Sequence, residues 1–303
     1  MPIALDGGLT RYAWLSIATA IVTLAIKWAA WWLTGSVGLL SDALEAFVNL
    51  GAGLLALWML RLAASPPDAK HPYGLSKAEY FAAGMEGTLI VLAAAAIIAS
   101  ALPRLVAPQP IETPAFGLAL GALAGAINFG VALILIRAGR DNHSITLEAD
   151  GQHLLTDVWT SVGVVAGVGL AWLTGWLVVD ALVALAVGAQ IIWTGVGLMR
   201  RSVLGLLDQA IPGDDLREIG KLFNEYSKRY GVTFHALRTR QAGARRFVSF
   251  HLLVPDEWSV KRAHQLSEEL EARITSLVPN ASLLTHIEPI SDPASYEDQG
   301  LDR

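Results

Sequence analysis

The sequence predicts an α-helical membrane protein with six transmembrane helices, followed by a C-terminal cytosolic α+β domain of order αββαβ. Three observations carry this reading. Of 303 residues, 53% are apolar and only 16% charged, against roughly 25% charged in an ordinary soluble domain. The charges are sparse between Tyr12 and Met199 and frequent from Arg200 onward. The apolar residues gather in six runs, each near the roughly 20 residues needed to cross the hydrocarbon core of a bilayer.

Those runs are 12–34, 37–60, 78–101, 115–136, 145–174 and 176–199. The breaks between them carry Gly, Pro and polar punctuation: "TGSVG", "SPPDAKHPYG", "PRLVAPQPIETP", "RAGRDNHS" and "LTGW". Connections this short make consecutive helices antiparallel neighbours. Arg11, Arg61, Lys70, Lys77, Arg137, Arg140, Arg200 and Arg201 flank one side of the predicted bundle, and only Arg104 lies on the other. The positive-inside rule then places both termini in the cytoplasm, for a chain in the inner or plasma membrane. Trp31, Trp32 and Trp176 fall near outer helix ends, where interfacial aromatics belong. Nothing marks a removable signal peptide, so the first apolar run is expected to stay in the mature chain. Gly117, Gly121 and Gly125, and Gly163 and Gly167, recur every four residues, a pattern that lets helix backbones approach. Lys27 is expected to snorkel or pair within helix one.

Beyond Arg201 the periodicity changes. "DDLREIGKLFNEYSKRY" is helical, "TFHALRTRQ" and "RRFVSFHLLVP" read as strands joined by the turn "QAGA", "SVKRAHQLSEELEARITSL" is helical again, and "ASLLTHIEPI" is a strand. An antiparallel sheet with helices on one face is the expected packing. The expected domains are a transport unit over 1–207, a cytosolic unit over 208–292 and a disordered polar tail over 293–303.

Composition excludes several functions. A net charge of −5 with no arginine-rich run leaves no footprint for nucleic acid. The absence of cysteine rules out disulfides and thiolate metal sites. An intramembrane metalloprotease would need HExxH, which the chain lacks. A promiscuous drug exporter calls for an aromatic cavity, not a set of four metal-type donors.

That set lies on the second and fifth helices. In "SDALEAFVNL", Glu45 and Asn49 are four residues apart; in "EADGQHLLTDVWTS", so are His153 and Asp157. Residues four apart share a helix face, so each helix presents a pair of nitrogen or oxygen donors, and two pairs together make a tetrahedral site for a divalent metal. A lone Asn or His in a bundle can simply bond helices together, but ionisable groups inside a membrane point to function. Two ionised carboxylates would neutralise the bound cation; without it, His153 and a carboxylate can accept protons. Glu86 either lines a cytosolic vestibule or proton path or pairs structurally. Asp42, Asp150 and Asp180 sit nearer helix ends, where capping or water suffices. In the cytosolic domain, His286 and Glu288 share a sheet face, and Val248, Phe250, Leu252 and Val254 take the face opposite His251.

These pairs, the loop "PDAKHPYGLSKAEY", "RTRQAGARRFVSFHLLVP" and the closing "THIEP" together resemble the cation diffusion facilitator family. The resemblance runs from the first helix to Glu288. It implies a homodimeric, proton-coupled exporter of divalent transition metals, not an enzyme, with a transport site at Glu45, Asn49, His153 and Asp157 and a metallochaperone-like cytosolic domain. Protons would be the counter-ion and lipid the surrounding partner. It places His235, His251, His264, His286 and Glu288 at a binuclear cytosolic site near the dimer interface, and Lys77 and Asp208 at an interlock between the domains. Asp68 and His71 match a minor loop site whose third ligand, a His in the family, is Leu75 here. Zinc transporters of the family carry His or Asp where this chain has Glu45, and Asp where it has Asn49. Zinc, iron, cobalt, manganese and nickel all remain compatible with the altered set. A metal-gated channel or a metal sensor without proton coupling is the alternative.

Overall fold

A computed structural model describes residues 8–34, 37–107, 115–176 and 178–297, with the side chains of 37–45 among those outside the description. Two compact units result, Met1–Val203 and Leu204–Arg303.

The first unit consists of α1 (Thr10–Thr34), α2 (Val37–Ala64), α3 (Ala78–Val106), α4 (Ala115–Asp141), α5 (Ile145–Thr174) and α6 (Val178–Leu206). The shortest has 25 residues, which at a rise of 1.5 Å per residue exceeds the roughly 30 Å of a hydrocarbon core. Helices α1, α3, α4 and α6 contain spans long and apolar enough to cross a membrane by length and composition among the described residues. In α2, residues Asn49–Ala64 form a shorter apolar helix among the described residues. Bulky apolar side chains such as Trp32, Trp58 and Trp193 face outward, the arrangement suited to lipid.

The inner contacts rely on small residues. Helix α1 packs on α2 and α4, α4 on α5, and both α3 and α2 on α5. Ala13, Ile17, Leu57, Ala132, Leu135 and Leu154 form part of one buried cluster. Gly87 of α3 and Gly195 of α6 face each other so closely that a Cβ on either would lie 3.1 Å from the other's carbonyl oxygen. Gly151 of α5 meets α4 similarly, its virtual Cβ 3.0 Å from the Ala132 oxygen. The glycine stripe expected from sequence behaves differently: Gly163 abuts Val187, but Gly121 faces open space, while the surroundings of Gly117 and Gly167 lie outside the described residues. Spacing marks a smooth helix face without telling which face finds a partner.

Polar groups fasten one end of the bundle. The Ser202 hydroxyl donates to the Tyr80 carbonyl at 2.5 Å, and that of Thr146 to the Glu79 carbonyl at 3.2 Å. Glu148 of α5 accepts from Arg201 of α6 at 2.7 Å and Arg140 of α4 at 3.5 Å. One carboxylate therefore ties three helices.

The second unit follows the expected order: α7 (Gly213–Tyr230), β1 (Thr233–Ala242), β2 (Arg245–Val254), α8 (Val260–Leu277) and β3 (Ala281–Pro289). Gly231 ends α7 in the left-handed region at φ 68°, and the Ser259 hydroxyl caps α8 by accepting from Arg262 N–H. The sheet corrects the antiparallel expectation. Strands β1 and β2 form an antiparallel hairpin, but β3 runs parallel to β2. Helix α8 supplies the reason: a crossover helix returns the chain to the edge where β2 began, so the next strand enters in the same direction. Val248, Phe250, Leu252 and Val254 bury one face against Ile219, Leu222, Leu266, Leu270 and Ile274 of the two helices.

The tail expected to be disordered is partly ordered. Pro293–Tyr296 forms a 3-10 turn with Asp292 accepting from Ala294 N–H. Ser295 donates to the Pro289 carbonyl and Tyr296 to that of Ile290. These local bonds satisfy backbone acceptors that polarity alone would assign to water.

Candidate metal centres

Within the membrane unit the structure brings together three of the four expected donors. Asn49 of α2 and His153 and Asp157 of α5 are all buried. Asn49 bridges the other two: its Nδ2 donates to Asp157 Oδ2, and its Oδ1 lies 2.8 Å from His153 Nε2. An amide oxygen only accepts, so His153 Nε2 carries the proton of that bond. Rotating the amide would set oxygen against carboxylate, so the network itself selects the orientation. Glu45 sits one turn before Asn49 on α2, with its side chain outside the described residues, as is that of Asp42.

Asn128 joins this group and was not picked out from sequence. It is buried on α4, and its Nδ2 donates to Asp157 Oδ2 at 3.3 Å. The signal available was a lone amide in the apolar run "GAINFGV", of a kind that more often only bonds helices together. Asp150 corrects a further expectation. Neither a cap nor wetted, it is 1% exposed and accepts from Ser16 of α1 at 3.0 Å, because α1 and α4 cover this face of α5.

In the second unit a cluster spans three strands. His235 on β1 pairs across from His251 on β2, which pairs across from His286 on β3. Glu288 Oε2 lies 3.0 Å from both His235 Nε2 and His251 Nδ1, and those nitrogens are 3.1 Å apart. Donors bound tetrahedrally at 2.0–2.1 Å would be about 3.3 Å apart, so two nitrogens and an oxygen already stand near coordinating separation. A bulge in β1 makes this possible. Phe234 and Leu237 both reach the core although three residues apart, and the odd step is absorbed between His235 and Arg238, with Ala236 at φ 50°. His235 thereby keeps the open face.

His286 lies at the rim, its Nδ1 3.8 Å from Glu288 Oε1 and its ring centroid 4.7 Å from that of His251. His264 is not brought into the group. It projects from α8, which covers the opposite sheet face, and is exposed beside Glu268 at 3.9 Å.

The loop residues form a turn. Asp68 Oδ1 accepts from the N–H groups of Lys70 at 2.8 Å and His71 at 2.6 Å, and lies 3.2 Å from His71 Nδ1. The His71 backbone bond leads the effects holding the Asp68 carboxyl below its usual range. Lys77 precedes α3 in the first unit, and Asp208, in the second, pairs with Arg240 at 3.2 Å.

A bundle of membrane-length helices with buried nitrogen and oxygen donors at its centre, joined to a small domain carrying a second such cluster, is the build of an ion transporter. Residues 13–207 match the cation efflux transmembrane domain, and residues 211–290 match the cation efflux protein cytoplasmic domain. An uncharacterized transporter of Synechocystis is 50% identical over 286 residues, covering 94% of this chain and 92% of the relative. The cation-efflux pump FieF of Escherichia coli is 31% identical over 282 residues, covering 93% of each; that of Citrobacter koseri is 30% identical over the same length and share. The chain belongs to the cation diffusion facilitator family. It is a transporter for divalent metal efflux, not an enzyme.

Proposed function

We propose that the chain exports a divalent transition metal from the cytoplasm in exchange for protons, as a homodimer in the cytoplasmic membrane with both termini inside. Glu45, Asn49, His153 and Asp157 are the transport site. The observation that carries this reading is the amide of Asn49 bonded at once to His153 and Asp157. Without cation, the donors satisfy one another. A cation entering from the cytoplasm replaces those bonds, taking Asp157 and Glu45 oxygens, the Asn49 carbonyl and His153 Nε2. Since that nitrogen carries a hydrogen in the present arrangement, coordination must shift or expel a proton, which is the chemical root of exchange. Asn128 holds the Asp157 carboxylate in place.

Three oxygen donors and one nitrogen make a harder set than one with more imidazole, which widens the acceptable cations beyond zinc toward iron, manganese, cobalt and nickel. His235, His251, Glu288 and His286 form a cytosolic metal site that tunes the dimer. Asp68 and His71 contribute at most a two-ligand loop site. The test is flux in proteoliposomes holding a pH gradient. Metal accumulation should follow the gradient and vanish in Asp157→Ala; accumulation indifferent to the gradient supports a channel instead.

A further inference from the structure

Glu86 stands apart from the other described acidic groups of the membrane unit. It lies on α3, fully buried, and neither carboxylate oxygen has a hydrogen-bond partner among the described residues. Helix α3 packs on α5, and Thr146 of α5 donates to the Glu79 carbonyl of α3. From that contact Asp150 lies about one turn and Glu86 about two turns further along their helices, where the Asp150 charge acts on Glu86. Asp150 is also buried, with Oδ1 on the Ser16 hydroxyl and Oδ2 without a partner among the described residues. The glycines flanking Glu86 on α3, Gly84 and Gly87, pack on Ser202, Met199 and Gly195 of α6, and α1 offers Ser16 to Asp150. On α2, which also packs on α3, the side chains of Asp42 and Glu45 lie outside the described residues. Arg201 and Arg140 are occupied by Glu148. Among the described residues, Asp150 is the charged group acting on Glu86, and His153 the charged group acting on Asp150.

Two buried carboxylates cannot both stay ionised at close quarters without a donor or a cation. One of them keeps its negative charge most readily where a hydroxyl already donates, at Asp150; the other, Glu86, is left to hold a proton. Asp150 stands one turn from His153 on the same face of α5, so charge arriving at the transport site is felt by the pair.

We propose that Glu86 and Asp150 form a second proton-binding station of the membrane unit, separate from the transport ligands, which holds a proton while the site lacks its cation and releases it when the cation enters. This rests on the antiport reading above. In the step, one carboxyl O–H bond breaks, its electron pair remains on oxygen, and the proton passes to water on the side to which the site is open. The pair gains one negative charge, offsetting half the charge of the entering cation.

The experiment is a proton count. Full-length protein in vesicles is given Zn2+, with metal and pH indicators read together. Glu86→Gln should still carry Zn2+ but exchange about one proton fewer per cation than wild type, and Glu86→Asp should restore the ratio. Wild type with no Zn2+-linked proton flux would overturn the antiport reading itself. A linked flux with the same ratio in Glu86→Gln would overturn this inference alone. Should Glu86→Gln not fold, infrared difference spectra on adding Zn2+ decide: a protonated-carboxyl band lost in wild type and shifted in Glu86→Asp upholds the station, and a band unmoved by that substitution overturns it.

Discussion

The two donor clusters differ in what holds them. In the membrane unit, Asn49, Asn128, His153 and Asp157 come from three helices, and the described contacts among them are side-chain hydrogen bonds, of which those made by Asn49 would give way to a cation in the proposed site. In the cytosolic unit, His235, His251 and Glu288 come from neighbouring strands of one sheet, and backbone pairing fixes their separation before any metal arrives. A transported ion has to leave, so its ligands need an alternative arrangement of comparable stability. A regulatory ion can be bound by a preformed site on a stiff element.

The contrast can be broken by substitution. The largest effect is expected from Asp157→Ala, which removes the anionic donor that both asparagines hold: Zn2+ flux should fall by more than about 100-fold while the elution of the dimer stays unchanged. Asn128→Ala should cost less, about 10-fold in flux, because the carboxylate remains but is no longer held from α4. Asn49→Asp should alter preference more than rate, raising Zn2+ over Mn2+ in competition assays; an unchanged order would remove Asn49 as a selectivity determinant. His251→Ala should abolish one bound Zn2+ per chain in equilibrium dialysis yet leave flux at saturating metal largely in place, which separates the clusters functionally.

The smallest effect concerns stability of the cytosolic unit. Burial leads the effects that push the Tyr226 phenol up to about 12, helped by its bond to Glu269 at 2.9 Å. Its value in the unfolded chain is about 10. The folded state therefore binds the extra proton, so the contribution is complete below pH 10 and is lost as pH rises toward 12. Thermal unfolding of Tyr226→Phe should show a shallower decline over that window than wild type.

Much of this was legible in the sequence, and what escaped has a physical pattern. The six helices were readable because membrane insertion demands long apolar runs, and the αββαβ order because periodicity shifts between 3.6 and 2. The face opposite His251 was readable too, since Val248, Phe250, Leu252 and Val254 alternate with it. Asn128 and Asp150 escaped because their roles depend on which helix lies across from them, and no spacing within one helix reveals that. The direction of β3 escaped because it follows from α8 acting as a crossover between β2 and β3, and not from any feature of the strand itself. His264 looked equivalent to the other histidines until α8 was seen to cover the far side of the sheet.

Exchange of metal for protons at the α2–α5 site is tested most directly by reversing the pH gradient across vesicles that hold the wild-type protein. Zn2+ movement should reverse with it and stop when the gradient is collapsed by a protonophore. Movement that continues unchanged down the Zn2+ gradient alone would contradict proton coupling.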